Sequence, residues 1–174
     1  VLDWQNNPLP ATVIKGPFPN EQQTKTLCDA NGNFEFHSAQ EGIEVITVQC
    51  QGAAPAVLPI EIKSGMEPIT IMLSPPNIIS GQVIDANGLA IEGAKISAAA
   101  WRGVGSLVFS TQTDWQGYFQ WDSAPDDEVL FNIQHNNFMS LRQYPMRTGI
   151  DYKILLMRPA KIFGQIICSQ PGVQ

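Results

Sequence analysis

Histidine and cysteine are scarce in this chain, and clusters of cations and long apolar runs are missing. The two histidines, His37 and His135, stand far apart, and the three cysteines, Cys28, Cys50 and Cys168, are scattered. Such an inventory yields no Ser/His/Asp or Cys/His set and no zinc spacing. The expectation is a non-enzyme with no catalytic residue, no cofactor and no metal. Lys and Arg number 10 against 16 Asp and Glu, a net charge of −6, and the cations nowhere gather. Nucleic acid is therefore not an expected partner. No apolar run reaches the roughly 18 residues of a membrane-spanning helix. A helical period is missing too, so almost no helix is expected. The chain opens on Val1 rather than Met and shows no charged-then-apolar leader. It reads as a fragment, with any targeting segment outside it.

What the chain does have is turns and repetition. Gly81-Gln82-Val83-Ile84-Asp85 recurs as Gly164-Gln165-Ile166-Ile167-Cys168, 83 residues later. Asp29-x-x-Gly32-x-Phe34-x-Phe36 returns as Asp114-x-x-Gly117-x-Phe119-x-Trp121, 85 residues later. Gly65 returns as Gly149 and Pro75 as Pro159, both after 84. Offsets that differ by a residue or two are what loops tolerate. A period this long implies tandem small domains rather than a solenoid of about 20–50-residue repeats.

Between the turns the pattern alternates. Ile79-x-Gly81-x-Val83 reads as a first strand, closed by the turn Asp85-Ala86-Asn87-Gly88, because Asn and Gly accept positive φ cheaply. Ala94, Ile96 and Ala98 alternate next, then a strand over 106–113, then Phe119 with Trp121, then Val129, Phe131 and Ile133. Strands over 139–146 and 154–157 complete the set. The first repeat offers Ala11 and Val13, residues 23–28, Phe34 and Phe36, then Ile46, Val48 and Cys50. Leu58, Ile60 and Ile62 follow, then Ile69, Ile71 and Leu73. The expected fold is all-β: two tandem seven-stranded antiparallel β-sandwiches of prealbumin or immunoglobulin-like Greek-key type. The units are residues 1–76, with a truncated first strand, and 77–159, while 160–174 hold the first strand of a third. Prolines at 75, 76 and 159 stop the last strands and stiffen the joints.

These landmarks resemble the carboxypeptidase regulatory-like domain, a transthyretin-like sandwich. Gly81, Val83, Asp85, Gly93, Ala94, Ile96, Thr113, Asp114, Gly117, Phe119 and Trp121 carry the likeness in the second repeat. Val1, Asp3, Ala11, Val13, Asp29, Gly32, Phe34, Phe36 and Gly42 carry it in the first. Two departures stand out: no Gly precedes Ala11, and Asp127 stands where Gly42 predicts Gly. The resemblance implies a non-catalytic spacer or interaction module of a larger secreted, periplasmic or cell-surface bacterial protein, whose partners are the neighbouring domains of the same polypeptide. It also leaves room for an accessory domain of a peptidase or outer-membrane transporter. Related collagen-adhesin repeats form isopeptide bonds from a Lys on the first strand. Residues 78–83 contain none.

Candidate site residues are few. Trp115 at a turn tip, Trp101 at a strand end and Trp4 in another turn each offer a flat apolar face. Such a face can stack on a polysaccharide or a partner surface, or pack against a neighbouring domain. Trp121 aligns with Phe36 and belongs to the core. Cys28 and Cys50 fall at one end of the first unit, where either a disulfide or two buried thiols fits. The Asp-x-Asn-Gly turns supply too few oxygens for a calcium loop. Finally, residues 161–168 read as a spare first strand, and the first unit's own first strand is truncated; the expectation is that the spare strand either extends a sheet of a neighbouring copy by strand exchange or frays.

Overall fold

The computed structural model of the chain describes residues 1–16, 23–37 and 39–165. Among these are eleven strands and no helix. They are β1 (Thr12–Lys15), β2 (Thr24–Leu27), β3 (Gly42–Gln49), β4 (Ala56–Ile62), β5 (Asn77–Ile84), β6 (Lys95–Trp101), β7 (Ser110–Gln112), β8 (Tyr118–Ala124), β9 (Val129–Gln134), β10 (Leu141–Met146) and β11 (Asp151–Leu155). Three sheets result, in the orders β2-β1-β3-β4, β10-β9-β6-β7 and β11-β5-β8.

The period-2 runs account for the layers. In β9, Val129, Phe131 and Ile133 are all buried, and in β8, Phe119 and Trp121 are buried while their neighbours Tyr118, Gln120 and Asp122 are exposed. These residues, with Ile79, Val83, Ile96 and Ile154, form one core between the sheets β10-β9-β6-β7 and β11-β5-β8. A separate core gathers Val13, Ile46 and Val48 with Val1, Ile71 and Leu73.

Backbone bonds recur at the spacing of the repeats. Val83 N donates to Gly117 O (2.8 Å), as the amino group of Val1 donates to Gly32 O. Ile91 N donates to Val83 O (3.0 Å), as Leu9 N donates to Val1 O (3.1 Å). Leu156 N donates to Ile84 O, as Leu73 N donates to Leu2 O, both at 2.9 Å. Four Asp turns share one geometry. Asp3, Asp29, Asp85 and Asp114 each accept, through one carboxylate oxygen, the amides two and four residues ahead. The fourth turn residue has positive φ in each case: Asn6, Gly32, Gly88 and Gly117. This is the Asx geometry that makes Asp and Gly the preferred punctuation.

Several expectations are corrected. The sheets are not wholly antiparallel, because β11 runs parallel to β5 from Asp151↔Ser80 to Leu155↔Ile84. β11 reaches that edge after leaving the other sheet, so no tight hairpin dictates its direction. Seven strands, β5–β11, lie in residues 77–155, but only β1–β4 lie before them. The expected strands at Phe34 and Phe36 and at Ile69, Ile71 and Leu73 are not ladders. The second is reduced to a single parallel bridge, Leu2↔Met72. In residues 77–155 both corresponding segments pair with β5. Around the first core Leu2 takes that middle place, donating to Ile71 O and accepting from Leu73 N, both at 2.9 Å. The strand expected over 106–113 is observed only as β7: Ser106 and Val108 bond instead to Thr47 and Gln49 of β3, while Phe109 O still accepts the amide of Ala98 (3.0 Å).

Candidate functional site

The most constructed polar region is the seam between the two cores. β3 reads Val45-Ile46-Thr47-Val48, apolar or small on both parities, which is the pattern of a strand covered on both faces. Ile46 and Val48 face the first core. Thr47, on the other face, is fully buried, and its hydroxyl meets that of Ser106, also buried. Gln49 Oε1 accepts the amide of Val108 (3.1 Å), and Ser123 Oγ accepts the amide of Gly52 (2.9 Å). Val57 of β4 packs on the second core. Sequence reading passed over Thr47, Gln49, Ser106 and Ser123. The legible signal was the doubly apolar parity of β3.

Beside this seam lies a cleft of about 650 Å³, lined by Gln49, Gln51, Gln120, Trp121, Asp122 and Ser123 among others. Trp121 stacks on Phe109 with centroids 4.6 Å apart. Gln120 Nε2 is hydrogen-bonded to Asp122 Oδ1. The cleft thus presents amides, a carboxylate and the edge of an aromatic pair.

None of the three tryptophans singled out from sequence lines this cleft. Trp115 is 71% exposed at its turn tip, and Trp4 is 40% exposed. Trp101 is a correction: it is only 2% exposed and belongs to the core. Its indole nitrogen is bonded to Asp127 Oδ1, while Arg102 donates to Asp127 Oδ2 (2.9 Å) and lies 4.7 Å from the Trp101 ring centroid. A register shift between Ala98 and Ala100 explains this. The bulge inverts the parity set by Ala94 and Ile96, so a residue expected outside points inside.

The cysteines are also separated. Cys28 and Cys50 are both free thiols, Cys28 buried and Cys50 half-buried. They follow β2 and β3, which flank β1 on opposite sides. Strands two apart lie about 9.6 Å from each other. A disulfide needs Cα atoms within about 7 Å. Burial, with the Cys28 thiol nearby, pushes the Cys50 thiol pKa up. Cys168 lies outside the described residues, as do 166–168 of the spare strand.

Hydrogen bonds hold three turn carboxyls below the ordinary value of 3.8: Asp3 chiefly through Asn7, Asp29 through Asn33 and Asp85 through Leu89. Their oxygens are spent on their own turns. His37 is exposed beside Glu35 (3.4 Å), and His135 meets the ring of Phe138 edge-on. Among the described residues no group of three or more His, Cys, Asp or Glu is placed to hold a metal ion.

No family model matches the chain, and no curated protein matches it. Solved structures with similarity include the Bacillus anthracis TIE protein, 14% identical over 90% of this chain and 32% of that one, TM-score 0.39. The major pilin subunit of Bacillus cereus is 13% identical over 72% of this chain and 41% of that one, TM-score 0.36. The minor pilin of Streptococcus agalactiae is 6% identical over 92% of this chain and 88% of that one, TM-score 0.36. The chain therefore spans about a third of the first of these proteins and about two fifths of the second.

Proposed function

We propose that this chain is a non-catalytic spacer and interaction segment of a larger secreted or cell-surface bacterial protein. In this reading residues 1–76 and 77–159 are two tandem β-sandwiches of the carboxypeptidase regulatory-like kind, and 160–174 open a third. The separate cores and the recurring backbone bonds at Val1 and Val83 support the two units. The sequence resemblance supports the surface location.

The observation that carries the spacer role is the seam. A segment that sets the reach of its neighbours needs a joint that does not swing. Here two hydroxyls are buried against each other, two further hydrogen bonds cross, and Val57 enters the second core. Each such contact is lost if the units separate, and buried hydroxyls left unpaired are costly. Small-angle scattering tests this. The wild-type curve is expected to fit one relative arrangement of the units. Thr47→Arg, which forces a charge into the seam, is expected to broaden it. A wild-type curve that only a wide spread of orientations reproduces would sink the spacer reading.

A second reading, carbohydrate binding, is favoured by the exposure of Trp115. Its indole offers an unobstructed face of the kind that stacks on a sugar ring. Tryptophan fluorescence against soluble polysaccharides, with Trp115→Ala as control, decides it. A saturable shift lost in the variant makes this a glycan-binding module. A flat response leaves the spacer in front.

A further inference from the structure

We propose that the cleft beside the seam binds a short neutral oligosaccharide, an inference that rests on the carbohydrate reading but moves the site away from Trp115. The cleft holds about 650 Å³, inside the roughly 300–1,000 Å³ of small-ligand sites. Its lining comes from both sides of the seam, with Lys25, Gln49 and Gln51 on one and Gln120, Asp122 and Ser123 on the other. Among the described lining residues Lys25 is the one cation and Asp122 the one anion, so the cleft carries no net charge. A charged ligand meets no surplus of the opposite sign there. Amides and hydroxyls both donate and accept, as sugar hydroxyls do. Val108, 67% exposed, and the half-buried Phe109 add apolar surface to the same lining. The C–H face of a sugar ring can lie against such a surface.

The polar side chains are already held in place. Gln49 Oε1 accepts the amide of Val108 (3.1 Å), which leaves its Nε2 to donate. Ser123 Oγ accepts the amide of Gly52 (2.9 Å), which leaves its hydroxyl proton to donate. Gln120 Nε2 is bonded to Asp122 Oδ1, which leaves Gln120 Oε1 and Asp122 Oδ2 as acceptors. Groups fixed beforehand lose little freedom on binding. The backbone contributes too. Residues 120–123 all line the cleft, so it borders the edge of β8 rather than either face. Among the described residues β8 is the last strand of its sheet. Val83 N bonds to Gly117 O, and by alternation Phe119 and Trp121 turn their backbone groups toward β5. The N–H and C=O of Gln120 therefore point off the free edge. That edge is too short for a peptide ladder. The N–H and C=O of Tyr118 are bonded to Asp114, and the register shifts between Ile79↔Trp121 and Asn77↔Ala124. A sugar needs no more than the few groups that remain.

Nuclear magnetic resonance titration of the isotope-labelled full chain tests this. The probes are cellotetraose, maltotetraose and xylotetraose, with trigalacturonate as the anionic comparison. Saturable shifts are expected at residues 49–52 and 120–123 and at the Trp121 indole with at least one neutral probe. The double variant Gln120→Ala, Asp122→Ala changes two exposed side chains. It is expected to weaken that binding about tenfold, while Trp115→Ala leaves it unchanged. Shifts centred on Trp115 and lost in Trp115→Ala overturn the cleft site and leave the carbohydrate reading standing. Silence with every probe overturns both. Equal binding by the wild type and the double variant removes the cleft from the account. Tighter binding of trigalacturonate than of any neutral probe overturns the neutral class.

Discussion

The amide of Val83 donates to the carbonyl of Gly117 at 2.8 Å, and a Cβ added to Gly117 would lie 2.5 Å from the carbonyl oxygen of Val83. Backbone meets backbone with no room between. Gly117 also has φ +78°. Gly117→Ala therefore combines left-handed strain with a clash that displaces β5, and is expected to cost roughly 2–4 kcal/mol. Gly88 has φ +79° but open space around it. Gly88→Ala is expected to cost only about 1 kcal/mol. Urea unfolding followed by tryptophan fluorescence separates the two. Equal losses would show that the close approach has no weight.

Thr113 closes the same corner. Its buried hydroxyl donates to Ile91 O (2.7 Å) and accepts from Ala94 N (2.8 Å). Thr113→Val keeps the volume but strands two backbone groups, an expected loss of about 2–3 kcal/mol. Thr113→Ser restores the hydroxyl and most of the stability. If valine and serine variants unfold at the same denaturant concentration, the hydroxyl is not what holds the corner.

Acid should loosen the turns. Asp3, Asp29 and Asp85 have folded pKa values below 3.8, so their contribution is complete above that value and is lost as pH falls through the lower folded ones. Stability is expected to be level from neutral pH to about pH 5 and to fall from near pH 4 downward. Asp85→Asn should flatten part of that fall. Thermal melts of both proteins from pH 7 to pH 2 check this, and parallel curves would remove Asp85 from the account.

Cys28 and Cys50 are expected to alkylate fully in denaturant without any reductant. Peptide mapping of the two sites, with and without prior reduction, measures it. A linked Cys28–Cys50 peptide would overturn the strand order argument. In the native state Cys50 should alkylate slowly near pH 8, because burial keeps its thiol protonated.

The local chemistry of this chain was legible and the long-range pairing was not. Asp85-Ala86-Asn87-Gly88 announces its turn because all the atoms that decide it lie within five residues. Val129, Phe131 and Ile133 announce a strand because one face is uniformly apolar. Phe34 and Phe36 carry the same alternation as Phe119 and Trp121, yet form no ladder. Their fate depends on a partner strand, which no local pattern reports. Trp101 was misplaced by a single bulge between Ala98 and Ala100. Alternation predicts a face only while the register is unbroken. Thr47 was missed because a threonine among β-branched neighbours reads as ordinary strand, and only its contact with Ser106, 59 residues away, gives it meaning.

The parallel pairing of β5 with β11 bears on how the chain carries tension. The polypeptide enters residues 77–155 at the start of β5 and leaves at the end of β11, and these two points lie at opposite ends of one ladder. A pull along the backbone therefore slides the strands past each other instead of peeling them apart. The ladder from Asp151↔Ser80 to Leu155↔Ile84 is loaded all at once, and its bonds must break together.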